Sequence, residues 1–580
     1  MVKIAPPRRP TRADLTTRPG WRSGQTEAWE VTHISPETEQ APSPTLAHAR
    51  ASLAGNAAIV ASAFIVSRLL GMVREMVIAA RFGTTPNYDA YVAAFRIPDL
   101  LFLVVMSGAF GSAFIPVFGA MLSKGRPERA WQLASAILSW TLVALSATAL
   151  LVFVFAGPLM RQVVAPGLSE EQLRLATNLT RMLLLSPLLL GLGAAFKGML
   201  EAQERFALSA YAPVFYNLAI IFGAVALVPM FGVYGLAFGV IAGATLHAAL
   251  QAIGLWRGGM RLRLGLSRDV EGLRDVVRLM APRVLGQAAF QVNFIVMTNF
   301  ASRMAASRVG ALNYAYQLLM LPYGVLALSL STVIFPRLAR QFAAGHVDEM
   351  KATLARSLTP LIFLTLPAAV GLLCFRIAIV QVVFQFGSFD AASTRLVSQA
   401  LAYFALSLLG LSVVEAVTRA FYAMHDTRTP VIASVSTIAV NITLSWFLAP
   451  RMGHAGLALS FALTTTGEMT ILLIILRRRI GGWSSAAWGA VTRSLVATAL
   501  FVPVAYWMGN TLANATDPEM GRSVIGYALF AFGVGTAALV YVAIAYALGA
   551  RELYAFARRL PVLGQRLAPL LSARYGRQSA

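Results

Sequence analysis

Residues 67–118 read SRLLGMVREMVIAARFGTTPNYDAYVAAFRIPDLLFLVVMSGAFGSAFIPVF. The segment is two long apolar runs broken by a short turn, Gly83-Thr84-Thr85-Pro86. Charges sit inside the runs, at Arg68, Arg74, Glu75, Asp89 and Arg96. About 20 apolar residues cross a bilayer as a helix, and an ionisable residue within such a run is a functional hypothesis by default. Runs of this kind continue along the chain, with windows at 53–80, 88–121, 131–156, 173–198, 212–229, 233–256, 279–300, 309–335, 357–377, 394–421, 431–449, 454–476, 485–508 and 522–548. The pattern predicts an all-α polytopic membrane protein with about 14 transmembrane helices. Strands are excluded because lipid leaves no partner for an open sheet edge.

Composition agrees. The 580 residues are 57% hydrophobic and 13% charged, with a mean hydropathy of +0.67. Soluble domains carry about 25% charged residues, so a soluble enzyme is excluded. The single cysteine, Cys374, excludes a disulfide framework. No phosphate-cradling glycine loop, dinucleotide fingerprint or zinc-binding helix motif occurs. The chain is expected not to be an enzyme and to need no cofactor. The net charge of +23 would suggest nucleic acid in a soluble chain. Here its placement argues otherwise. Lys124, Arg126 and Arg129, then Arg257, Arg261, Arg263, Arg268, Arg274 and Arg278, then Arg477, Arg478 and Arg479 fall in alternate gaps between spans. The opposite gaps hold isolated arginines such as Arg161 and Arg451. This bias places both ends of the chain in the cytoplasm and removes nucleic acid as the expected partner in favour of membrane lipids.

The halves repeat at a period near 220 residues. Ser112-Ala113-Phe114-Ile115-Pro116 matches Thr332-Val333-Ile334-Phe335-Pro336, and Gly232-Val233-Tyr234-Gly235-Leu236-Ala237 matches Gly453-His454-Ala455-Gly456-Leu457-Ala458. Leu200-Glu201-Ala202 and Phe421-Tyr422-Ala423 each precede a proline-led span. A period of six spans makes the repeat parallel, as in transporters that bind substrate between two halves. The expected organisation is a disordered tail (1–52), a six-helix N-lobe (53–256), a basic linker (257–278), a six-helix C-lobe (279–476), two further helices (485–548) and a basic tail (549–580). The tail has no apolar signal-peptide core.

Arginine suits an anionic substrate because its fork binds phosphate oxygens bidentately and keeps its charge when buried. Arg68 and Arg74, six residues apart, do not share a face of a straight helix. Gly71 is the expected bend that brings both to one cavity. Asp89 and Arg96 complete the candidate substrate set. Glu468, Asn441 and Glu415 are the candidates for a cation or for coupling. Glu415 and Arg419 are spaced for an ion pair on one helix.

The segment 67–118 resembles the N-terminal signature of the MurJ (MviN) lipid II flippase family. LPYGVLALSLSTVIFPRLAR (321–340), FYAMHDTRTPV (421–431) and GHAGLALS (453–460) extend the resemblance over about residues 53–480. It implies membership of the multidrug/oligosaccharidyl-lipid/polysaccharide exporter superfamily, with two six-helix lobes and two added C-terminal helices. It implies lipid II, undecaprenyl-diphosphate bearing a disaccharide-pentapeptide, as substrate. Alternating access would move it from the cytoplasmic to the periplasmic leaflet of a bacterial inner membrane, beside the cell-wall synthesis machinery. The family's motif positions fall on Arg68, Arg74 and Asp89. The resemblance departs at Phe102 and Gln317, where the family usually carries arginine. It also departs near Asn441 and Ser445, where the acidic residue of the family's sodium-site region is missing. Coupling to membrane potential, sodium or protons stays open, and export of another polyprenyl-linked glycan or of drugs is the alternative.

Overall fold

The structure, a computed structural model, describes residues 44–108, 114–516, 524–550 and 552–553. The chain divides into two units, residues 1–55 and 56–580. Of the first, only the opening of one helix lies among the described residues, so the disorder expected for residues 1–43 falls outside them. That helix starts at Pro44, ahead of the expected boundary at residue 52.

No strand occurs among the described residues. The first half runs α1 (Pro44–Phe82), α2 (Pro86–Gly108), α3 (Phe114–Ser123), α4 (Pro127–Leu159), α5 (Glu170–Leu183), α6 (Leu185–Ala202), α7 (Phe206–Phe222), α8 (Val228–Phe231) and α9 (Val233–Trp256). The second runs α10 (Leu273–Ser302), α11 (Arg308–Tyr323), α12 (Ser329–Ala343), α13 (Val347–Cys374), α14 (Arg376–Phe384), α15 (Ala391–Ala405), α16 (Ser407–Ala423), α17 (Arg428–Met452) and α18 (His454–Ile480). Two more helices follow, α19 (Ser485–Ala515) and α20 (Val524–Ala547). Single π-helical turns continue three of the helices, at Met160–Val164, Gly223–Leu227 and Gly324–Leu328.

Local chemistry explains the boundaries. Pro86 and Pro127 open α2 and α4, where proline loses no hydrogen bond and its φ is already helical. Ser169 accepts from the Gln172 backbone while the Gln172 side chain accepts from the Ser169 backbone. This capping box fixes the start of α5.

Among the described residues, ten helical runs are long and apolar enough to cross a membrane, eleven if α15 and α16, bent by 46°, form one span. The expected count was fourteen. The other three windows fall on α1, on α2 with α3, and on α10. These helices carry Arg68, Arg74 and Glu75; Asp89, Arg96 and Asp99; and Arg274, Arg278 and Arg283. Parts of these helices lie outside the residues whose side chains are described. The outer wall is apolar, with Phe64, Leu150, Phe222, Trp446, Trp507 and Phe532 all exposed. A water-soluble protein would bury such residues; here lipid covers them.

The repeat is visible in the backbone. Gly232 (φ 57°, ψ −139°) caps α9 and Gly453 (φ 60°, ψ −145°) caps α18. Both conformations are all but closed to residues with a Cβ. Glu204 and His425, each at φ 59°, turn the chain at equivalent corners. A Cβ on Gly235 would lie 2.4 Å from the Leu227 carbonyl carbon, and one on Gly456 would lie 2.5 Å from the Leu448 oxygen.

The halves meet where α2 packs on α10 and α11. There Tyr88 stacks on Tyr314 with ring centroids 4.5 Å apart. This core extends through Phe384, Phe389, Phe404 and Phe461. A separate core of Phe363, Phe501 and Tyr541 fastens α19 and α20 to α13.

Candidate functional site

A cavity of about 180 Å³ opens between α1, α2, α7 and α11, lined among others by Arg74, Glu75, Arg96, Asp99, Asn313 and Gln317. A second, of about 270 Å³, adjoins it through Phe95, Asp99 and Tyr216 and reaches Phe102, Lys197 and His247.

Arg74 is held on two sides. Its Nη2 and Nε donate to Glu75 Oε1 at 2.6 and 3.2 Å, and its Nη1 donates to Asn217 Oδ1 at 3.0 Å. Asn217 is itself fixed by donating to the Ser67 and Pro213 carbonyls. Charge-assisted bonds of this length orient the fork, and two of its five N–H groups stay free to face the cavity. Arg96 donates from Nε to Thr298 Oγ1 at 2.8 Å and lies over the Phe294 ring at 5.6 Å. Its terminal nitrogens remain for the cavity. The wall thus presents two guanidinium groups, each oriented by a neighbour, which suits a diphosphate. Asp99, one turn beyond Arg96, lines both cavities and makes no hydrogen bond or ion pair among the described residues. The sequence reading passed over it. An acidic residue after Pro98 in an apolar run was the signal that could have found it.

Arg68 does not join this cavity. Gly71 makes no break, since α1 runs unbroken through it. The Arg68 side chain is exposed, with its guanidinium over Phe64 and a Cβ built on Gly324 lying 3.2 Å from its terminal nitrogens. It therefore rests on the π-helical turn of the second half, not beside Arg74.

Asp89 is also placed elsewhere. It is 2% exposed and outside the lining of either cavity. Its Oδ2 accepts from the Ser307 N–H at 2.6 Å and its Oδ1 from the Gly310 N–H at 2.7 Å. The carboxylate of α2 thereby satisfies the unpaired first N–H groups of α11, where the helix dipole is positive. Gly310 permits the approach, since a Cβ there would lie 2.6 Å from the Tyr88 ring. Asp89 thereby clamps α2 to α11, outside the lining of both cavities.

The three coupling candidates do not meet as a set. Glu415 accepts from Arg419 at 2.6 Å and from Tyr323 Oη at 3.3 Å, the one-helix ion pair its spacing suggested. Glu468 accepts from Ser434 Oγ at 2.5 Å across α17 and α18. At the same interface Asn441 donates to Thr464, while Ser445 donates to Asn441 and Ser460. That buried cluster is neutral and bonded within itself. No group of His, Cys, Asp or Glu suited to a metal ion occurs among the described residues.

Comparison with known proteins bears on this geometry. The family model described as lipid II flippase MurJ matches residues 78–518. The lipid II flippase MurJ of Burkholderia cenocepacia is 31% identical over 447 residues, covering 75% of this chain and 86% of that protein. A probable lipid II flippase MurJ of Rhizobium meliloti is 29% identical, covering 87% and 95%. Among solved structures, an inward closed lipid II flippase MurJ shares the fold with a TM-score of 0.69 at 22% identity, over 84% of this chain and 97% of that one. An inward-facing multidrug resistance MATE family transporter of the MOP superfamily gives 0.61 at 15%, over 71% and 94%. With its helical repeat, apolar outer wall and cationic interior cavity, the chain belongs to the lipid II flippase MurJ family.

Proposed function

We propose that this chain moves lipid II from the cytoplasmic to the periplasmic leaflet of a bacterial inner membrane by alternating access, for cell-wall synthesis. The observation that carries the reading is the pair Arg74 and Arg96 on the wall of one interior cavity. A diphosphate leaving the headgroup layer needs cationic, multidentate donors in a medium of low dielectric. Glu75, Asn217 and Thr298 hold the two forks before substrate arrives. The clamp from Asp89 to α11 closes the halves at one end, so opening that end means breaking it.

The lobes are residues 53–256 and 279–476, joined by the basic linker 257–278, with residues 485–548 packed on the second lobe and the ends 1–52 and 549–580 in the cytoplasm. The arginine distribution supports that orientation. Coupling runs through membrane potential, sodium or protons without a bound cofactor; Asp99 and Glu468 are the carboxylates that a proton would use. The cell-wall synthesis machinery is the expected partner. A second reading, export of another polyprenyl-linked glycan or of drugs, is favoured by the neutral Phe102 and Gln317 in the cavity walls.

Rescue of a lipid II flippase-depleted bacterium tests the proposal. The expected result is restored growth with lipid II exposed at the outer leaflet. Normal expression without that exposure would overturn it in favour of the second reading.

A further inference from the structure

Another cavity lies away from the one lined by Arg74 and Arg96. It has a volume of about 870 Å³ and sits between the first part of α13, the N-terminus of α19 and Glu552 beyond α20. Arg356 Nε donates to the Ala352 carbonyl at 3.2 Å, and its terminal nitrogens make no hydrogen bond among the described residues. Arg356 and Arg493 line it, and neither meets a carboxylate within ion-pair distance among the described residues. The Nε of Arg493 is buried without a hydrogen bond. Ser484 caps α19 by accepting from the Ala487 N–H, which leaves the N–H groups of Ser485 and Ala486 turned out at the positive end of a 31-residue helix. Opposed to these donors is one acid. Glu552 is 8% exposed, and its Oε2 is buried without a partner. A buried carboxylate oxygen left unpaired is costly, and its neighbour Arg493 does not satisfy it.

The unmet groups ask for a ligand that has both an anion and a nearby hydrogen-bond-donating cation. A free phosphate would meet the arginines and repel Glu552. A phosphate diester with an ammonium two carbons away would meet both. The cavity also sits at the depth of lipid headgroups. Trp488, on the first turn of α19, is exposed, as aromatic residues at a membrane interface are. Arg477, Arg478 and Arg479 end the preceding helix. The apolar rim of Ala352, Ala355 and Pro360 gives acyl chains a way out along α13.

We infer that this cavity is a binding site for the headgroup of an amine-bearing phospholipid of the phosphatidylethanolamine type. The phosphate rests on Arg356, Arg493 and the N-terminus of α19, and the ammonium rests on Glu552. The site is separate from the Arg74–Arg96 cavity, and it ties α19 and α20 to α13 through a lipid.

The purified full chain, stripped of lipid in detergent, is tested by native mass spectrometry with phosphatidylethanolamine, its N-acetyl derivative and phosphatidylglycerol. The expected result is at least about tenfold tighter retention of phosphatidylethanolamine than of the other two, the scale of one charge-assisted hydrogen bond. Glu552→Gln should collapse that preference, and Arg356→Gln with Arg493→Gln should release all three lipids. Equal retention by the wild type would overturn the inference without reference to any variant's folding. An unchanged preference in Glu552→Gln would overturn the role of the acid. Displacement by inorganic phosphate as readily as by phosphoethanolamine would show a plain anion site and overturn the assignment to lipid.

Discussion

The bond between Asp89 and the first turn of α11 is the contact whose removal the structure makes most quantitative. Two N–H groups reach one carboxylate at 2.6 and 2.7 Å, across more than 200 positions of sequence. A hydrogen bond to a charged group contributes about 1.5–3 kcal/mol. Asp89→Asn removes the charge and one acceptor oxygen while keeping the shape. It should weaken the closed arrangement at this end by about 2–3 kcal/mol. At about 1.4 kcal/mol per factor of ten, the ratio of open to closed shifts by about 30- to 140-fold. Spin labels on Glu171→Cys and Arg451→Cys, in a Cys374→Ala background, report the distance between the halves by pulsed electron resonance. Both positions are exposed. The expected outcome is a longer-distance population that is minor in the parent and dominant in Asp89→Asn, with Asp89→Ala shifted further. A distance distribution indifferent to both substitutions would refute the clamp.

Three further outcomes follow from the same geometry. Arg74→Lys keeps the charge but cannot span Glu75 and Asn217, so flipping of lipid II should fall at least about tenfold with membrane expression unchanged; near-normal flipping would discount the fork. Asp99→Asn removes a negative charge one turn from Arg96 and should tighten lipid II binding several-fold in a direct binding measurement; weaker binding would instead mean that the carboxylate accepts from the substrate. Asp426 lies between α16 and α17: burial pushes its carboxyl up, but Thr429 and Arg479 outweigh this and hold it below the usual carboxylate range. Its bond to Arg479 Nη1 at 2.5 Å therefore contributes fully above the usual carboxylate range and is lost as pH falls from that range through the lower value held in the fold, so Asp426→Asn should lower thermal stability at neutral pH and cost nothing in strong acid.

Much of the fold could be read along the chain because lipid makes the code simple. Apolar runs of the right length are helices, and basic gaps mark a side. The repeat was readable from Gly232 and Gly453 because a backbone that only glycine adopts freely leaves the same residue at both corners. The count of spans was less plain on α1, α2 and α10, where Arg68, Arg74, Asp89, Arg96 and Arg283 interrupt the apolar runs. Arg74 and Arg96 came to line one cavity. Asp89 did not, because its partner is the start of a helix over 200 residues away, and an unpaired backbone N–H has no letter in the sequence. Arg68 parted from Arg74 because Gly71, flanked by strong helix formers and free of any contact within 4 Å, had no force acting to bend it. Asp99 shows the reverse case, a visible carboxylate overlooked beside a more familiar arginine.

The matched corners at Gly232 and Gly453 bear on how the two copies aged. Each holds the same left-handed angle and the same close approach of the next glycine, at Gly235 and Gly456. The charges around the Arg74–Arg96 cavity, by contrast, come from the first half alone, while the second supplies Asn313 and Gln317. The two halves thus share their corners, while the charged side chains of the cavity lie in only one of them. Exchanging the two corner segments should be silent, whereas exchanging the helices they join should not. Drift within one corner is bounded by shape, and drift within one cavity wall by cargo.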